Sequence, residues 1–172
     1  MMIKIPIHLL NIEGDGFHLQ VKIKINGKVA NAIIDTGASK TVFDKDRISH
    51  FLKKEKLTEQ DRLSTGLGTA SMQSHVVKIK KFSIGKLDVL DYDGVVLDLS
   101  HVNQTYQVIG LKPIDAVVGS DMLEQFNAVI DYGKKTLVLH SNVAKKKAPK
   151  KTVKLAKKVI RKKVAVSKSK KK

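Results

Sequence analysis

The chain has 172 residues, 42% of them hydrophobic, with 33 Lys and Arg against 16 Asp and Glu and no cysteine. That is enough for one domain with a real core, and too apolar for a disordered protein. Missing cysteines exclude disulfide staples, thiolate metal sites and a cysteine nucleophile, and no stretch approaches the roughly 20 apolar residues of a membrane helix.

The start, Met1-Met2-Ile3-Lys4-Ile5-Pro6-Ile7-His8, lacks a basic region followed by a long apolar run and a cleavage site. The expectation is a soluble cytoplasmic protein with no membrane contact. Three regions follow from composition: a lead strand over 1–15, the main domain over 16–142 and a Lys-rich disordered tail over 143–172. Fifteen of the 33 basic residues and none of the 16 acids fall in the tail. The body is left with 18 basic residues against 16 acids and is nearly neutral.

In chain order, Phe17, Leu19, Val21, Ile23 and Ile25 alternate with His18, Gln20, Lys22 and Lys24, the period-2 signature of a half-buried strand. Asn26-Gly27 follows as a hairpin turn, and 29–34 returns as a second strand ending in Ile33-Ile34. Asp44 is placed to cap a short helix over 45–52. Two strands over 76–84 and 86–97 flank a turn at Gly85. A short buried strand, Ala116-Val117-Val118, leads into one or two helical turns over 121–126. A last hairpin joins 128–132 to 136–140 across Gly133-Lys134. Many short strands, glycine turns and little helix predict an all-β domain closed as a barrel or sandwich.

The chemistry-bearing segment is Asp35-Thr36-Gly37-Ala38-Ser39. An Asp-Thr-Gly turn closing a strand is by itself ordinary. Here the preceding strand is apolar on both faces, which puts the carboxylate at the end of a buried element. Gly37 allows a tight bend that turns backbone N–H groups toward the carboxylate, and the Thr36 and Ser39 hydroxyls can brace the loop. Far along the chain, Val117-Val118-Gly119 ends a second apolar strand at a helix. Between them lies an uncharged, glycine-bearing stretch, Thr65-Gly66-Leu67-Gly68-Thr69-Ala70.

On these motifs the chain resembles the retropepsin-like (retroviral-type) aspartic proteases, in particular their stand-alone bacterial members. Ile33 to Ala38 match the family's catalytic loop, Thr65 to Ala70 its flap, and Val117-Val118-Gly119 with the helix after it the later structural motif. The resemblance spans about 17–140. It implies a small closed β-barrel, an aspartic endopeptidase activity with Asp35 catalytic, and Thr36 bracing a dyad from beneath. Thr65, Gly66, Leu67 and Gly68 would form the flap over substrate. Such chemistry uses two carboxylates sharing one proton and needs no metal or cofactor. The sequence holds one Asp-Thr-Gly and no Asp-Ser-Gly, so the resemblance implies a homodimer acting on a peptide or protein substrate. Two features depart from the viral members: the lead over 1–15 and an insertion-like stretch over 99–106. Either bears on the dimer interface, and either can line the cleft.

Other signals weigh less. Gly66-Leu67-Gly68 lacks the third glycine, helix and βαβ context of a dinucleotide loop. The six histidines show no paired metal spacing, and Asp88, Asp91, Asp93 and Asp98 fit a solvated strand edge better than a calcium loop. The tail, with no acid and no aromatic residue, can solubilise the protein or attach it to nucleic acid or another polyanion without regard to sequence. Two other functions compete with catalysis: a catalytically quiet dimeric peptide-binding domain, and a polyanion-binding protein in which the β domain only dimerises the tails.

Overall fold

The computed structural model of the chain describes residues 1–52, 58–66 and 69–141. The expected tail over 143–172 lies outside the described residues, as do Leu67 and Gly68. Among the described residues there are ten strands. In chain order they are β1 (Met2–Ile12), β2 (Gly16–Ile25), β3 (Lys28–Ile34), β4 (Val42–Asp44), β5 (Thr58–Gly66), β6 (Thr69–Ile84), β7 (Leu87–Leu97), β8 (Ala116–Val118), β9 (Val129–Asp131) and β10 (Thr136–His140). Two short helices, α1 (Ser100–Val108) and α2 (Ser120–Gln125), flank β8.

Six strands, in the order β6-β7-β4-β8-β3-β2, close into a barrel because β2 pairs back onto β6 through Ile23–Ile84 and Ile25–Phe82. The alternation explains why over the second half of β2, where Val21, Ile23 and Ile25 are at most 1% exposed while Lys22 and Lys24 face out; nearer its start the expected pattern fails, with Phe17 exposed and Gln20 buried. Asn26 and Gly27 adopt left-handed backbone (φ 50° and 87°), which a two-residue turn matching strand twist requires. Asn26 also helps close the barrel. Its N–H donates to the Lys81 carbonyl (2.8 Å), and its side-chain oxygen accepts from the Lys81 N–H (3.1 Å).

The lead segment is integral to the sheet. The first half of β1 pairs antiparallel with β10, from Met2–His140 to Pro6–Thr136, and its second half pairs with β2. Ile3, Ile5 and Ile7 thereby enter the main core. The 45–52 helix is shorter than expected, a single 3₁₀ turn over Ile48–Phe51. The buried Asp44 carboxylate explains this: its Oδ1 accepts from the backbone N–H groups of Asp46 and Arg47 (3.0 and 2.9 Å), fixing a tight turn at once. The insertion-like stretch folds as α1.

Inside the barrel, Phe82 stacks on Tyr92 (ring centroids 5.3 Å apart), and Phe43 meets Phe82 edge-on at 5.7 Å. Burial pushes the Tyr92 phenol well above its ordinary value, and the nearby Asp121 carboxylate adds to the shift. The folded protein therefore keeps this proton to higher pH than the unfolded chain does. The stabilisation is complete below about pH 10, where the unfolded tyrosine titrates, and is lost as pH rises toward the folded value. The stability of Tyr92→Phe should accordingly fall less than that of wild type between about pH 9 and pH 11, by about 1 kcal/mol. Urea unfolding midpoints at the two pH values measure the difference.

Candidate active site

β3 and β8 run parallel at the centre of the barrel wall, in register from Ala32–Ala116 to Ile34–Val118. The pairing continues one residue further, because the Asp35 N–H donates to the Val118 carbonyl at 3.0 Å. Asp35 thus leaves a buried strand at a fixed point and is itself exposed, as are Thr36 and Gly37. Its Oδ1 accepts from the Gly37 N–H at 2.8 Å, and the Ala38 N–H reaches back to the Asp35 carbonyl at 3.3 Å. The turn is an Asx-type loop closed by the carboxylate itself. Among the described residues, the Thr36 and Ser39 hydroxyls make no hydrogen bond.

The loop is held from below by residues that the motif alone does not reveal. Ser120 at the start of α2 donates both its N–H (2.8 Å) and its hydroxyl (3.0 Å) to the Ala38 carbonyl. Thr41 is fully buried. Its N–H and hydroxyl both donate to Asp121 Oδ1 (2.8 and 2.9 Å), and the same hydroxyl accepts from the Gly119 N–H at 3.0 Å. Asp121 Oδ1 also takes the Met122 N–H (2.9 Å), and the Tyr92 hydroxyl approaches Oδ2 at 3.4 Å. One carboxylate therefore ties the strand after the loop to the helix after β8. Thr41 and Asp121 lie eighty residues apart, and nothing in the linear sequence couples them.

Gly119 is where the two segments cross. A Cβ there would lie 2.5 Å from the Lys40 carbonyl carbon and oxygen and 2.9 Å from the Ala38 oxygen. Backbone cannot yield as a flexible side chain would, so the position admits no side chain. Val117 and Val118, as the strand leading to it, sit beneath the Asp35 loop. The structure thus brings Asp35 to Ser39 together with Val117 to Gly119. Thr65 and Gly66 end β5 in an antiparallel hairpin with β6, paired as Gly66–Thr69. Leu67 and Gly68, between them, lie outside the described residues.

A concavity of about 500 Å³ lies elsewhere, lined by Asp44, Arg47, Asn103 and Gln107 among others. It opens at the N-terminal end of β8, three residues and roughly 10 Å of strand from Gly119. Arg47 is held there by Asp115 at 2.6 Å. Among the described residues no group of His, Cys, Asp or Glu is arranged to hold a metal ion, and no helix is long and apolar enough to cross a membrane.

A closed all-β barrel with an Asp-Thr-Gly loop crossing a strand-end glycine is a retropepsin-like fold. Residues 21–122, 102 of the 172, match a family model described as aspartyl protease, and the chain belongs to that family. It is similar to a retropepsin-like aspartic protease from Rickettsia conorii, with 21% identity over 81% of this chain and 89% of the other at a TM-score of 0.50. The retroviral protease-like domain of Ddi1 from Leishmania major matches at 15% identity over 73% of this chain and 90% of that one, with a TM-score of 0.48. EIAV protease, in complex with the inhibitor HBY-793, matches at 16% identity over 67% and 93%, with a TM-score of 0.47. No curated protein matches the chain.

The crossing at Gly119 makes a direct prediction. Gly119→Ala should force the loop off its seat and cost about 1–3 kcal/mol. Gly16→Ala, where a Cβ meets nothing within 4 Å, should change stability by less than about 0.5 kcal/mol. Equilibrium denaturation of the two variants in parallel makes the comparison.

Proposed function

We propose that the protein is an aspartic endopeptidase that works as a homodimer, each subunit supplying Asp35 to one catalytic dyad. The observation that carries this reading is the placement of Asp35. It stands solvent-exposed at the end of a buried strand, on a loop whose underside is bolted to β8 and α2 and whose upper side is open. One carboxylate alone cannot perform the chemistry. Two, a few Å apart, share a proton, because both cannot ionise together. The ionised member draws a proton from a water that attacks the scissile carbonyl, while the protonated member donates toward the carbonyl oxygen. The pair titrates as a unit. A two-fold axis beside the Asp35 loop would face each loop with its own copy. Thr36, whose hydroxyl bonds no other described residue, would brace the dyad by bonding across such an axis. The β5–β6 hairpin, which carries Thr65 and Gly66 at the end of β5, would be the flap that the sequence places over Thr65 to Gly68, closing over substrate and excluding water.

Asp35→Asn keeps size and hydrogen bonding to Gly37 but can neither share the proton nor activate water. Cleavage of an unstructured protein should fall by at least about a hundredfold, with the fold and the sedimentation behaviour of the dimer unchanged. Equal cleavage by the mutant would move the active site elsewhere. A folded dimer that binds peptides without cutting them, before and after substitution, would favour the binding-domain reading.

We assign the tail over 143–172 a separate role, sequence-independent attachment to nucleic acid or another polyanion. Its fifteen cations, unopposed by any acid, would release many counterions from phosphates. A chain ending at residue 142 should keep peptidase activity on a short peptide and lose both DNA binding and its steep salt dependence in gel-shift titrations. Retained tight binding would place the polyanion site in the barrel.

A further inference from the structure

Apart from the barrel core, the protein contains a second apolar cluster, built on Val42, Leu99, Tyr106, Ile114 and Val117. Its location follows from strand alternation. On β3, Ala30, Ala32 and Ile34 point into the barrel core, whereas Ile33 belongs to the second cluster. On β8, Ala116 and Val118 point inward and Val117 outward; on β4, Phe43 points inward and Val42 outward. The second cluster therefore coats the outer face of β3, β8 and β4. By the same period of two, Asp35 leaves β3 on the face of Ile33. The cluster reaches the catalytic loop itself, since the partly buried Ile33 and Ala38 stand two residues before and three after Asp35.

What covers this face is α1, the insertion. In its second half Tyr106 is 2% exposed and belongs to the cluster, with Val102 one turn earlier packed against it. The helix is fastened as a rigid part. Asn103 both accepts from the Ile114 N–H (2.8 Å) and donates to the Ile114 carbonyl (3.1 Å). The Leu99 N–H donates to the buried Asp44 carboxylate at 3.2 Å, and the Leu111 N–H to the Tyr106 carbonyl at 2.7 Å. From the other side, Leu10 and Ile12 of β1 join the cluster, and His18 of β2 hydrogen-bonds the Tyr106 hydroxyl through Nδ1 at 2.5 Å. The phenol, raised in pKa by burial, is thus tethered at its polar end while its ring occupies apolar space.

We propose that α1 and the β1–β2 hairpin form the wall of a substrate subsite beside Asp35, with Tyr106 as its floor. This rests on the peptidase reading above. The space that a deep pocket would need, outward from Ile33 and Val117, is already filled by the Tyr106 ring. What remains for a substrate is the partly exposed rim formed by Ile33 and Ala38. Such a subsite is apolar and shallow. It selects small apolar side chains, such as Ala or Val, next to the scissile bond and rejects aromatic ones, which would have to displace a packed ring.

The test compares kcat/KM for two peptides that differ only in carrying Val or Phe beside the scissile bond. Wild type should favour the Val peptide. Tyr106→Leu, which shortens the floor, should shift the Phe-to-Val ratio toward Phe by about tenfold or more. Tyr106→Phe, which keeps the ring, should leave the preference with Val. A merely structural role for Tyr106 would lower both rates together and leave the ratio alone, which overturns the proposal. If Tyr106→Leu does not fold, Val102→Ala opens the same cluster and should move the ratio in the same direction. A wild type that cleaves peptides but prefers Phe overturns the subsite and leaves the peptidase reading standing. A wild type that cleaves neither peptide nor an unstructured protein removes both.

Discussion

The backbone over 38–40 passes so close to Gly119 that no side chain fits between them, and most of the site follows from that contact. For the two segments to approach, their polar groups must be satisfied in the same small volume. The Ala38 carbonyl takes two donors from Ser120, the Gly119 N–H goes to Thr41, and Thr41 spends its own N–H and hydroxyl on Asp121. Hydrogen bonds to a charged acceptor are worth about 1.5–3 kcal/mol each, and leaving a buried donor unmet costs a similar amount. The crossing is therefore stable only as a complete set. Once it forms, β3, β4, β8 and α2 are fixed relative to one another, and the position of Asp35 has no freedom left below its own turn.

How much of this was legible in the sequence depends on whether the physics is local. Strand β2 and the Asn26-Gly27 turn were readable because burial on one face writes a period of two into the chain, and left-handed backbone selects Asn and Gly. Ile33-Ile34 and Val117-Val118 read as apolar on both faces, and the structure gives the cause: one face meets the barrel core, the other the outer cluster. The Asp35 loop was visible because one tripeptide carries both its chemistry and its turn. Its support was not, since Thr41 and Asp121 are ordinary polar residues until the fold brings them within 3 Å.

α1 shows the opposite case. The stretch Ser-His-Val-Asn-Gln-Thr-Tyr-Gln-Val has no side-chain N-cap, no acid in its first turn and no basic residue in its last. Its one local support at the start is the Asp98 carboxylate, which accepts the Ser100 N–H at 2.8 Å, and nine residues are too few to be stable alone. It exists because Asp44 takes the Leu99 N–H at its start, because Asn103 ties it to the Ile114 backbone, and because Tyr106 buries its ring. A helix made by tertiary contacts leaves a weak pattern, so the segment read as an insertion without a shape.

The two ends of β8 use buried charge differently, and the difference bears on what the barrel is built to hold still. At the end away from Asp35, the Asp115 carboxylate is 2% exposed, bound by Arg47 (2.6 Å) and by the Asn31 N–H (2.7 Å). A half-buried ion pair of this kind adds little net stability, but removing a partner of the buried Asp115 is costly, and its bond to the Asn31 N–H resists any shift of β3 against β8. At the Asp35 end, Asp121 pins the neighbouring backbone while Asp35 itself is left in water. Asp115 thus ties β3 to the start of β8 through Asn31, and Asp121 ties the strand entry at Thr41 to α2, while the exposed Asp35 carboxylate accepts from the Gly37 N–H of its own turn. A side chain at a strand end keeps a fixed place when the backbone beneath it is held by neighbours as well as by its own bonds. Asp115 and Asp121 each take donors from segments far away in the chain, whereas the bond to the Asp35 carboxylate is local to its own turn, so the scaffold fixes the loop from below and leaves its outer side in water.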